Sequence, residues 1–386
     1  MKLRQKLTQT FTIKQIFKDH WNNFLTLGYE LRPAIIKNVM KVIHCGDPSF
    51  GYALYSCSHC GKIKHVPFRC KSRFCNTCGA SYVTNRAKNI SSKLINCKHR
   101  HLVFTIPAEL RKFFRLDRSL LNVLFKAVSS TILTWFKKLN KSENFIPGFI
   151  STLHTFGRDL KWNPHIHMIL SEGASGNFTV WRSISHFPFI MLRRRFQTTL
   201  LHMLHQRLGP SFEPLKYFLF DAYKDGFYVR AKKEKHSVAK NSIEYIVRYT
   251  GRPAMAQSRI LDYDGQSVTF YYERHEDGER VVETLSAIDF IKRLIVHIPD
   301  EQFKMVRYYG LYAKEYKHSN QLFRMVSPAK KKFWDKYSDW RSRILFAFGT
   351  DPLKCSCGHT LELIDVFFPK NPPLLASNPP PPYNLS

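Results

Sequence analysis

A short segment with two histidines constrains the fold of this chain more than any other feature. His165 and His167 flank Ile166, and Asn163 and Pro164 form a turn signal directly before them. Because residues i and i+2 of a strand point to the same face, both imidazoles would lie on one face, with Ile166 buried on the other. The segment therefore predicts a strand that offers two imidazole ligands to a single metal ion.

A preceding segment supplies a candidate third ligand. Residues 147–156 predict a second strand that a polar turn joins to the first, and His154 lies eleven positions before His165. If the two strands pair as an antiparallel hairpin, His154 faces the same metal as a third imidazole. A glutamate or glutamine elsewhere, or Asn163, could serve instead.

A predicted helix about eighty residues later presents two phenols. Tyr245 and Tyr249 are four positions apart, so they share one helix face, and the helix is expected to stop before Pro253. Three arginines suited to phosphate accompany them: Arg248, Arg252 and Arg259. Tyrosines at this spacing also occur in cores, but together with a metal-binding strand they are what tyrosine-mediated cleavage of single-stranded DNA requires.

Two pairs of cysteines predict a structural zinc site. Cys57 and Cys60 form one C-x-x-C pair, and Cys75 and Cys78 form another, fourteen residues later. Two such pairs can supply four thiolates in a tetrahedron, which leaves no open coordination position. Cys70 lies between the pairs and is either a buried thiol, a substitute ligand or part of a second site.

The remaining cysteines give weaker signals. Cys45 and Cys97 are expected to be core residues. Cys355 and Cys357 have a C-x-C spacing, and one short pair cannot hold zinc alone. This pair is either a partial metal site or no site.

The charge of the chain points to nucleic acid. Lysine and arginine number 60 against 29 aspartate and glutamate residues, a net charge of +31. Such an excess favours nucleic acid as partner over an acidic membrane surface, because the basic residues are spread along the chain. Lys71 and Arg73 beside the cysteines are expected to contact DNA, with a solvated charged face as the alternative.

The chain shows no segment that predicts a membrane span or a signal peptide. No uninterrupted apolar run is long enough to cross a bilayer, and the basic start at residues 1–6 is not followed by an apolar stretch. We therefore expect a cytoplasmic protein whose cysteines are reduced.

Hydrophobic periodicity predicts a mixture of helices and strands. Helices are expected within residues 1–40, 118–138 and 188–208, and strands at 101–106 and 226–230. Residues 267–285 alternate like a hairpin, and Ser286 is the expected cap of a following helix. The tail from residue 369 is rich in proline and asparagine and is expected to be disordered.

Taken together, these motifs resemble the HUH superfamily of single-strand DNA nucleases. The wider pattern is similar to the rolling-circle, two-tyrosine transposases of bacterial insertion sequences, which carry an N-terminal zinc-binding domain. The matching stretches follow the family order and are residues 70–79, 153–157, 164–167, 245–253 and 306–311. One departure is the Cys355 and Cys357 pair, where the family leads us to expect C-x-x-C.

The resemblance implies an α+β fold. A central antiparallel sheet would carry the histidines on a central strand, with helices on one face and the tyrosine helix beside it. A helical and zinc-ribbon domain would precede this nuclease domain. The implied divisions are 1–98 for the zinc-binding part, 99–325 for the catalytic part, 326–368 for a C-terminal extension and 369–386 for the tail.

The resemblance also implies a mechanism. A divalent ion, Mg²⁺ or Mn²⁺, would lie on His165, His167 and a third ligand such as His154. Tyr245 would make the first cleavage and Tyr249 would take the second strand, each forming a 5′-phosphotyrosine. The substrate would be single-stranded or hairpin DNA at the ends of the element. No nucleotide cofactor is expected, in agreement with the lack of a phosphate-binding G-x-x-x-x-G-K motif.

Three other functions remain open at this point. A plasmid replication initiator or conjugative relaxase uses similar chemistry, but relaxases usually carry the tyrosines near the N-terminus. A zinc-ribbon protein that only binds DNA would never become covalently attached to it. A metal-dependent hydrolase acting on nucleotides would release both ends and leave no adduct.

Overall fold

The computed structural model describes residues 11–76, 78–79, 90–139, 142–231, 253–274, 277–314, 322–335 and 339–368. Helices and antiparallel sheets alternate along these ranges, so the predicted α+β class is confirmed. The helices are α1 (Ile13–Thr26), α2 (Pro33–Ile43), α3 (Ala108–Leu116), α4 (Leu120–Leu139), α5 (Phe189–Leu208), α6 (Glu213–Ala222), α7 (Ala287–Ile295), α8 (Pro328–Asp335) and α9 (Trp340–Phe348). The strands are β1 (Tyr52–Ser56), β2 (Ile63–Pro67), β3 (His99–Thr105), β4 (Ile146–Phe156), β5 (Trp162–Ser175), β6 (Arg182–Ser183), β7 (Val229–Ala231), β8 (Ile260–Tyr263), β9 (Ser267–Glu273), β10 (Arg280–Ser286), β11 (Val306–Gly310) and β12 (Glu362–Phe367).

The largest sheet carries the histidines on its central strand. Its order is β11-β4-β5-β3-β7, with β6 paired to β5, and every pairing is antiparallel. Ile166, Met168 and Leu170 of β5 are completely buried in one core with α3, α4 and α5. Because side chains alternate along a strand, His165 and His167 lie on the opposite face.

The turn between β4 and β5 fixes how these two strands pair. His154 is the register partner of His165, and Thr152 is the partner of His167. Within the turn, Leu160 has a φ of 63° and is completely buried. The buried His297 donates from Nε2 to the Leu160 carbonyl over 2.8 Å and accepts at Nδ1 from the Thr155 hydroxyl over 3.1 Å.

A second core joins the start of the chain to a distant segment. The amphipathic helices α1 and α2 pack with α7 and the sheet of order β10-β9-β8. Thr12 caps α1, and Ser286 caps α7 by accepting from the Asp289 amide over 3.0 Å. The predicted hairpin and its following capped helix are therefore confirmed. This core crosses the expected boundary at residue 98, and the domain divisions stay predictions.

A third sheet brings the C-terminal segment back to the first hairpin. Its order is β12-β1-β2, with Ser56 opposite Glu362 and Tyr52 opposite Phe367. In the part of the chain that the structure describes, the buried residues of the associated core are Cys57, Cys355 and Leu361. Among the described residues, no helix combines the length and apolar composition needed to cross a lipid bilayer.

Most predicted elements are present, with ends displaced by a few residues. The single helical region predicted for residues 1–40 consists of α1 and α2, and its first ten residues lie outside the described ranges. The elements that were not predicted include helices α3, α6, α8 and α9, the strands β1, β2, β8, β11 and β12, and the pairing of β12 with β1. The tyrosine helix and the tail from residue 369 also lie outside the described residues.

Candidate catalytic and metal centres

Three histidines on β4 and β5 converge at one point. His154, His165 and His167 each offer a ring nitrogen, and these nitrogens lie within 4.8 Å of one another. The ring of His154 is 4.4 Å from that of His167 and 5.5 Å from that of His165, measured between centroids. The hairpin register produces this group, because residues directly opposite in an antiparallel pair share a face.

A hydrogen bond from Nδ1 of His165 leaves its other ring nitrogen, Nε2, facing His167. His165 Nδ1 donates to the Asn163 carbonyl over 2.7 Å, so in the neutral ring Nε2 keeps its lone pair. His165 Nε2 and His167 Nε2 are 3.0 Å apart. Two nitrogens at right angles around an ion with bonds of about 2.1 Å would be separated by about 3.0 Å. The spacing of these two nitrogens therefore fits two ligands of one divalent ion, and His154 lies close enough to be the third.

The half-buried position of His165 favours the unprotonated ring that a metal requires. Loss of solvent lowers the pKa of His165 to about 4. The ring is therefore neutral at physiological pH, when an unprotonated nitrogen is needed for ligation. Two buried oxygens without a hydrogen-bond partner lie on the neighbouring strand positions, Asn163 Oδ1 and Thr152 Oγ1. Asn163 therefore remains the predicted alternative to His154 as third ligand.

A fourth histidine supports the group and was missed by the sequence analysis. His101 Nε2 is 2.9 Å from His167 Nδ1, and the two rings stack with an interplanar angle of 5°. His101 lies on β3, two residues before Val103, which is the register partner of His167. This contact fixes the orientation of the His167 ring, as groups behind metal-bound imidazoles commonly do. Its signal in the sequence was a second H-x-H spacing, His99 and His101, at the start of the strand predicted for residues 101–106.

The cysteines form two separate clusters. One contains Cys45, Cys70, Cys75 and Cys78, and we call it the proximal cluster. The other contains Cys57, Cys60, Cys355 and Cys357, and we call it the distal cluster. Sulfur distances in the proximal cluster are 3.6 Å from Cys45 to Cys78 and 3.7 Å from Cys75 to Cys45. A tetrahedron with Zn–S bonds of about 2.3 Å has edges of about 3.8 Å.

The predicted grouping of Cys57, Cys60, Cys75 and Cys78 in one site is therefore corrected. The fourteen residues between the pairs contain β2, five residues that span about 16 Å as a strand. Cys57 and Cys60 lie at the tip of the β1–β2 hairpin, whereas Cys75 and Cys78 follow its other end. Cys75 and Cys78 are therefore joined by Cys45 and Cys70. Cys57 and Cys60 belong to the distal cluster instead. Cys97 lies in neither cluster.

The proximal cluster is packed into the second core. Cys45, Cys75 and Cys78 are buried there with residues of α1, α2 and α7. The Cys70 sulfur accepts from the Ser72 amide over 3.4 Å, and Lys71 between them has a φ of 55°. Asn76 donates to the Gln257 side chain over 2.8 Å, which links the cluster to the segment before β8.

The predicted DNA contacts have different surroundings. Lys71 is exposed and Arg73 is half-buried. Arg259 donates to the backbone carbonyls of Tyr271 and Arg158, so its guanidinium links β9 to the turn between β4 and β5 as well as carrying charge. Tyr245, Arg248, Tyr249 and Arg252 lie outside the described residues.

Comparison with known proteins identifies the family. The family described as "Transposase zinc-binding domain" matches residues 16–106, and the family described as "Putative transposase" matches residues 148–320. The chain is a transposase of the IS91 type. The family, its zinc-binding domain and the transposase function predicted from the sequence are thus confirmed.

Two relatives show how far the similarity extends. This transposase is 29% identical over 322 residues to the "Transposase for insertion sequence element IS801" of Pseudomonas savastanoi pv. phaseolicola, which covers 80% of the chain and 76% of the relative. It is 25% identical over 341 residues to "Putative transposase y4qJ" of Sinorhizobium fredii (strain NBRC 101917 / NGR234), at 80% and 85% coverage. No solved structure matches the chain.

The two family matches divide the candidate centres. The first includes the whole proximal cluster and His101, and the second includes the three histidines and both tyrosines. Cys355 and Cys357 lie beyond the second match.

Proposed function

We propose that this transposase cleaves and rejoins single-stranded DNA through a covalent bond between a tyrosine and a 5′-phosphate. The observation that carries the proposal is the convergence of His154, His165 and His167 on the central hairpin, with two ring nitrogens at the spacing of metal ligands. A divalent ion, Mg²⁺ or Mn²⁺, bound there would neutralise charge on the scissile phosphate and orient it.

The nucleophiles in this proposal are Tyr245 and Tyr249. The phenol oxygen of Tyr245 loses its proton and attacks phosphorus in line, forming the new P–O bond. The bond from phosphorus to the 3′-oxygen breaks, and this oxygen takes up a proton to leave a free 3′-OH. The ester keeps the energy of the broken bond, so a 3′-OH can later reverse the reaction and rejoin the strand without a nucleotide cofactor. Tyr249 would accept the second strand.

The protein's part is to hold ligands and charge in place. His101 and the Asn163 carbonyl orient the rings of His167 and His165 before substrate arrives. The net charge of +31 supplies a non-specific attraction for DNA, and the proximal cluster supplies a structural zinc site beside Lys71 and Arg73. Single-stranded or hairpin DNA at the ends of the element is the proposed substrate.

The test is a denaturing gel of the purified chain with labelled single-stranded oligonucleotides from both ends of its element. With Mg²⁺ or Mn²⁺ we expect a labelled band shifted by the mass of the protein, and none with EDTA. The double variant Tyr245→Phe/Tyr249→Phe should lose this band, while Tyr217→Phe, a change of an exposed tyrosine on α6, should keep it.

Two outcomes would contradict the proposal. Tight binding of an oligonucleotide that carries the correct end, with no adduct in any metal, would favour a protein that only binds DNA. Metal-dependent cutting that releases both ends and persists in the double variant would favour hydrolysis.

A further inference from the structure

We propose that the distal cluster binds a second zinc ion, which fastens the C-terminal segment to the first hairpin. Its ligands are Cys57 and Cys60 from the β1–β2 turn and Cys355 and Cys357 from the segment before β12. The site is independent of strand cleavage, and half of its ligands lie beyond both family matches. Because all four positions are taken by thiolates, its role is structural.

The sulfur positions fit one tetrahedral ion. Cys57 Sγ is 3.5 Å from Cys357 Sγ, and Cys60 Sγ is 3.5 Å from Cys355 Sγ. All four sulfurs lie within 4.8 Å of one another. These separations are close to the tetrahedron edge of about 3.8 Å for zinc thiolates and far longer than a disulfide bond of about 2.05 Å.

Both cysteine pairs lie in tight turns of similar construction. In the first, the Gly61 amide donates to the Cys57 carbonyl over 2.8 Å, and the Cys57 amide donates to the Lys62 carbonyl over 3.0 Å. In the second, the Gly358 amide donates to the Cys355 carbonyl over 3.0 Å, and the Cys355 amide donates to the His359 carbonyl over 2.8 Å. Gly61 and Gly358 have φ values of 69° and 91°, which glycine adopts without strain. The C-x-C pair thus forms a knuckle like that of the C-x-x-C pair.

The sheet around the distal cluster has little apolar core to hold it. Its buried residues are Cys57, Cys355 and Leu361, and every residue of β12 is exposed. Small units with so little buried apolar surface usually need a metal or a disulfide to remain folded. Lys62 and Lys64 add hydrogen bonds to Ser356 and the Pro352 carbonyl, but these are exposed contacts of small energetic value.

A competing donor set shares one cysteine with the distal cluster. His59, Cys357 and His359 could also hold a metal, and the two imidazoles stack with centroids 4.0 Å apart. This set supplies three ligands, all exposed, and no fourth His, Cys, Asp or Glu joins it in the part of the chain that is described. Four thiolates hold zinc more tightly, because soft sulfur ligands suit this ion.

The first test counts zinc in the purified full-length chain after dialysis, by mass spectrometry. We expect two zinc ions in the wild type, and one in each of the variants Cys355→Ser/Cys357→Ser and Cys57→Ser/Cys60→Ser. Cys97→Ser, which changes a cysteine outside both clusters, should keep two. One ion in the wild type would overturn the proposal. So would two ions in Cys57→Ser/Cys60→Ser with one in His59→Ala/His359→Ala, because the histidine set would then be the site.

A second test needs no variant and so does not depend on folding of the mutants. Cys60 and Cys357 are exposed, so as free thiols they would be accessible to iodoacetamide. In the zinc-loaded wild type we expect peptide mapping to show both protected, and alkylation to begin only after a chelator removes zinc. Rapid alkylation of both in the zinc-loaded chain would refute the site.

Discussion

Acidification should destabilise this transposase through a buried histidine that is not a metal ligand. His297 is 2% exposed, lies against Phe156 and Trp162, and has both ring nitrogens in hydrogen bonds. Loss of solvent lowers its pKa from 6.5 to about 4. Between these pH values the unfolded chain binds a proton that the folded chain does not, so the free energy of unfolding falls as the pH falls.

The size of the effect follows from the shift in pKa. A difference of about 2.5 units at 1.36 kcal/mol per unit corresponds to about 3 kcal/mol, lost between pH 6.5 and pH 4 and fully retained above pH 6.5. The variant His297→Gln keeps a donor and an acceptor but cannot titrate. Urea unfolding should therefore show that the advantage of the wild type over the variant shrinks by about 3 kcal/mol across this range.

The comparison between variants isolates His297. His165 also has a pKa lowered to about 4, but it is present in both proteins, so its contribution cancels from the difference between the wild type and His297→Gln. His202→Gln removes an exposed histidine of α5 and should leave the pH dependence unchanged. Parallel curves for the wild type and His297→Gln between pH 7 and pH 4 would show that His297 is not held neutral by burial.

Three further predictions concern the core, the metal and the DNA. Phe196→Ala removes a completely buried ring that contacts Phe104 and Phe227, so it should cost about 3–5 kcal/mol in urea unfolding, whereas Phe218→Ala at an exposed site should cost less than about 0.5 kcal/mol. His165→Ala should abolish both Mn²⁺ binding, measured by calorimetry, and formation of the DNA adduct, while it changes the affinity for the oligonucleotide less than twofold. Unchanged Mn²⁺ affinity would show that His165 is not a ligand, and His202→Ala is the matched control. Lys71→Ala should weaken single-stranded DNA binding equally for all sequences and reduce the slope of log affinity against log salt by about 0.7, and a sequence-dependent loss would indicate a base contact instead.

The hairpin of β4 and β5 was predicted well from the sequence because the information that specifies it is local. Alternation along residues 165–170 and the distance to His154 suffice to place three imidazoles on one face once the hairpin forms. Because side chains alternate with a period of two residues, a shift of one residue in the turn would move the histidines to the other face. Leu160 stabilises the turn by adopting a positive φ and burying its side chain. The amino-acid sequence around Leu160 did not predict this role.

The cysteine grouping could not be predicted in the same way. The spacing of cysteines in the sequence indicates which of them form a knuckle. Which two knuckles share one metal site depends on how distant strands pair, and the spacing does not show that. The Cys57 knuckle lies beside Cys355, almost 300 residues away, because β12 pairs with β1. An exposed six-residue strand such as β12 has only a weak pattern of alternating hydrophobicity in the sequence, and nothing in the sequence indicates which strand it pairs with. The packing of α1 and α2 on α7 could not be predicted for a similar reason. The apolar face of an amphipathic helix shows that the helix is packed against something, but not which element it packs against.

The pairing of β1 with β12 has a consequence for the synthesis of the protein. Cys357 follows Cys57 by 300 residues, which a ribosome adding about 5–20 residues per second needs about 15–60 s to make. During that interval one edge of β1 has no strand to pair with, and two thiols of the distal cluster have no partners from the same chain. An open strand edge of this kind invites pairing with other chains. A nascent or prematurely terminated copy would thus be more prone to aggregation and to mismatched metal than a finished one.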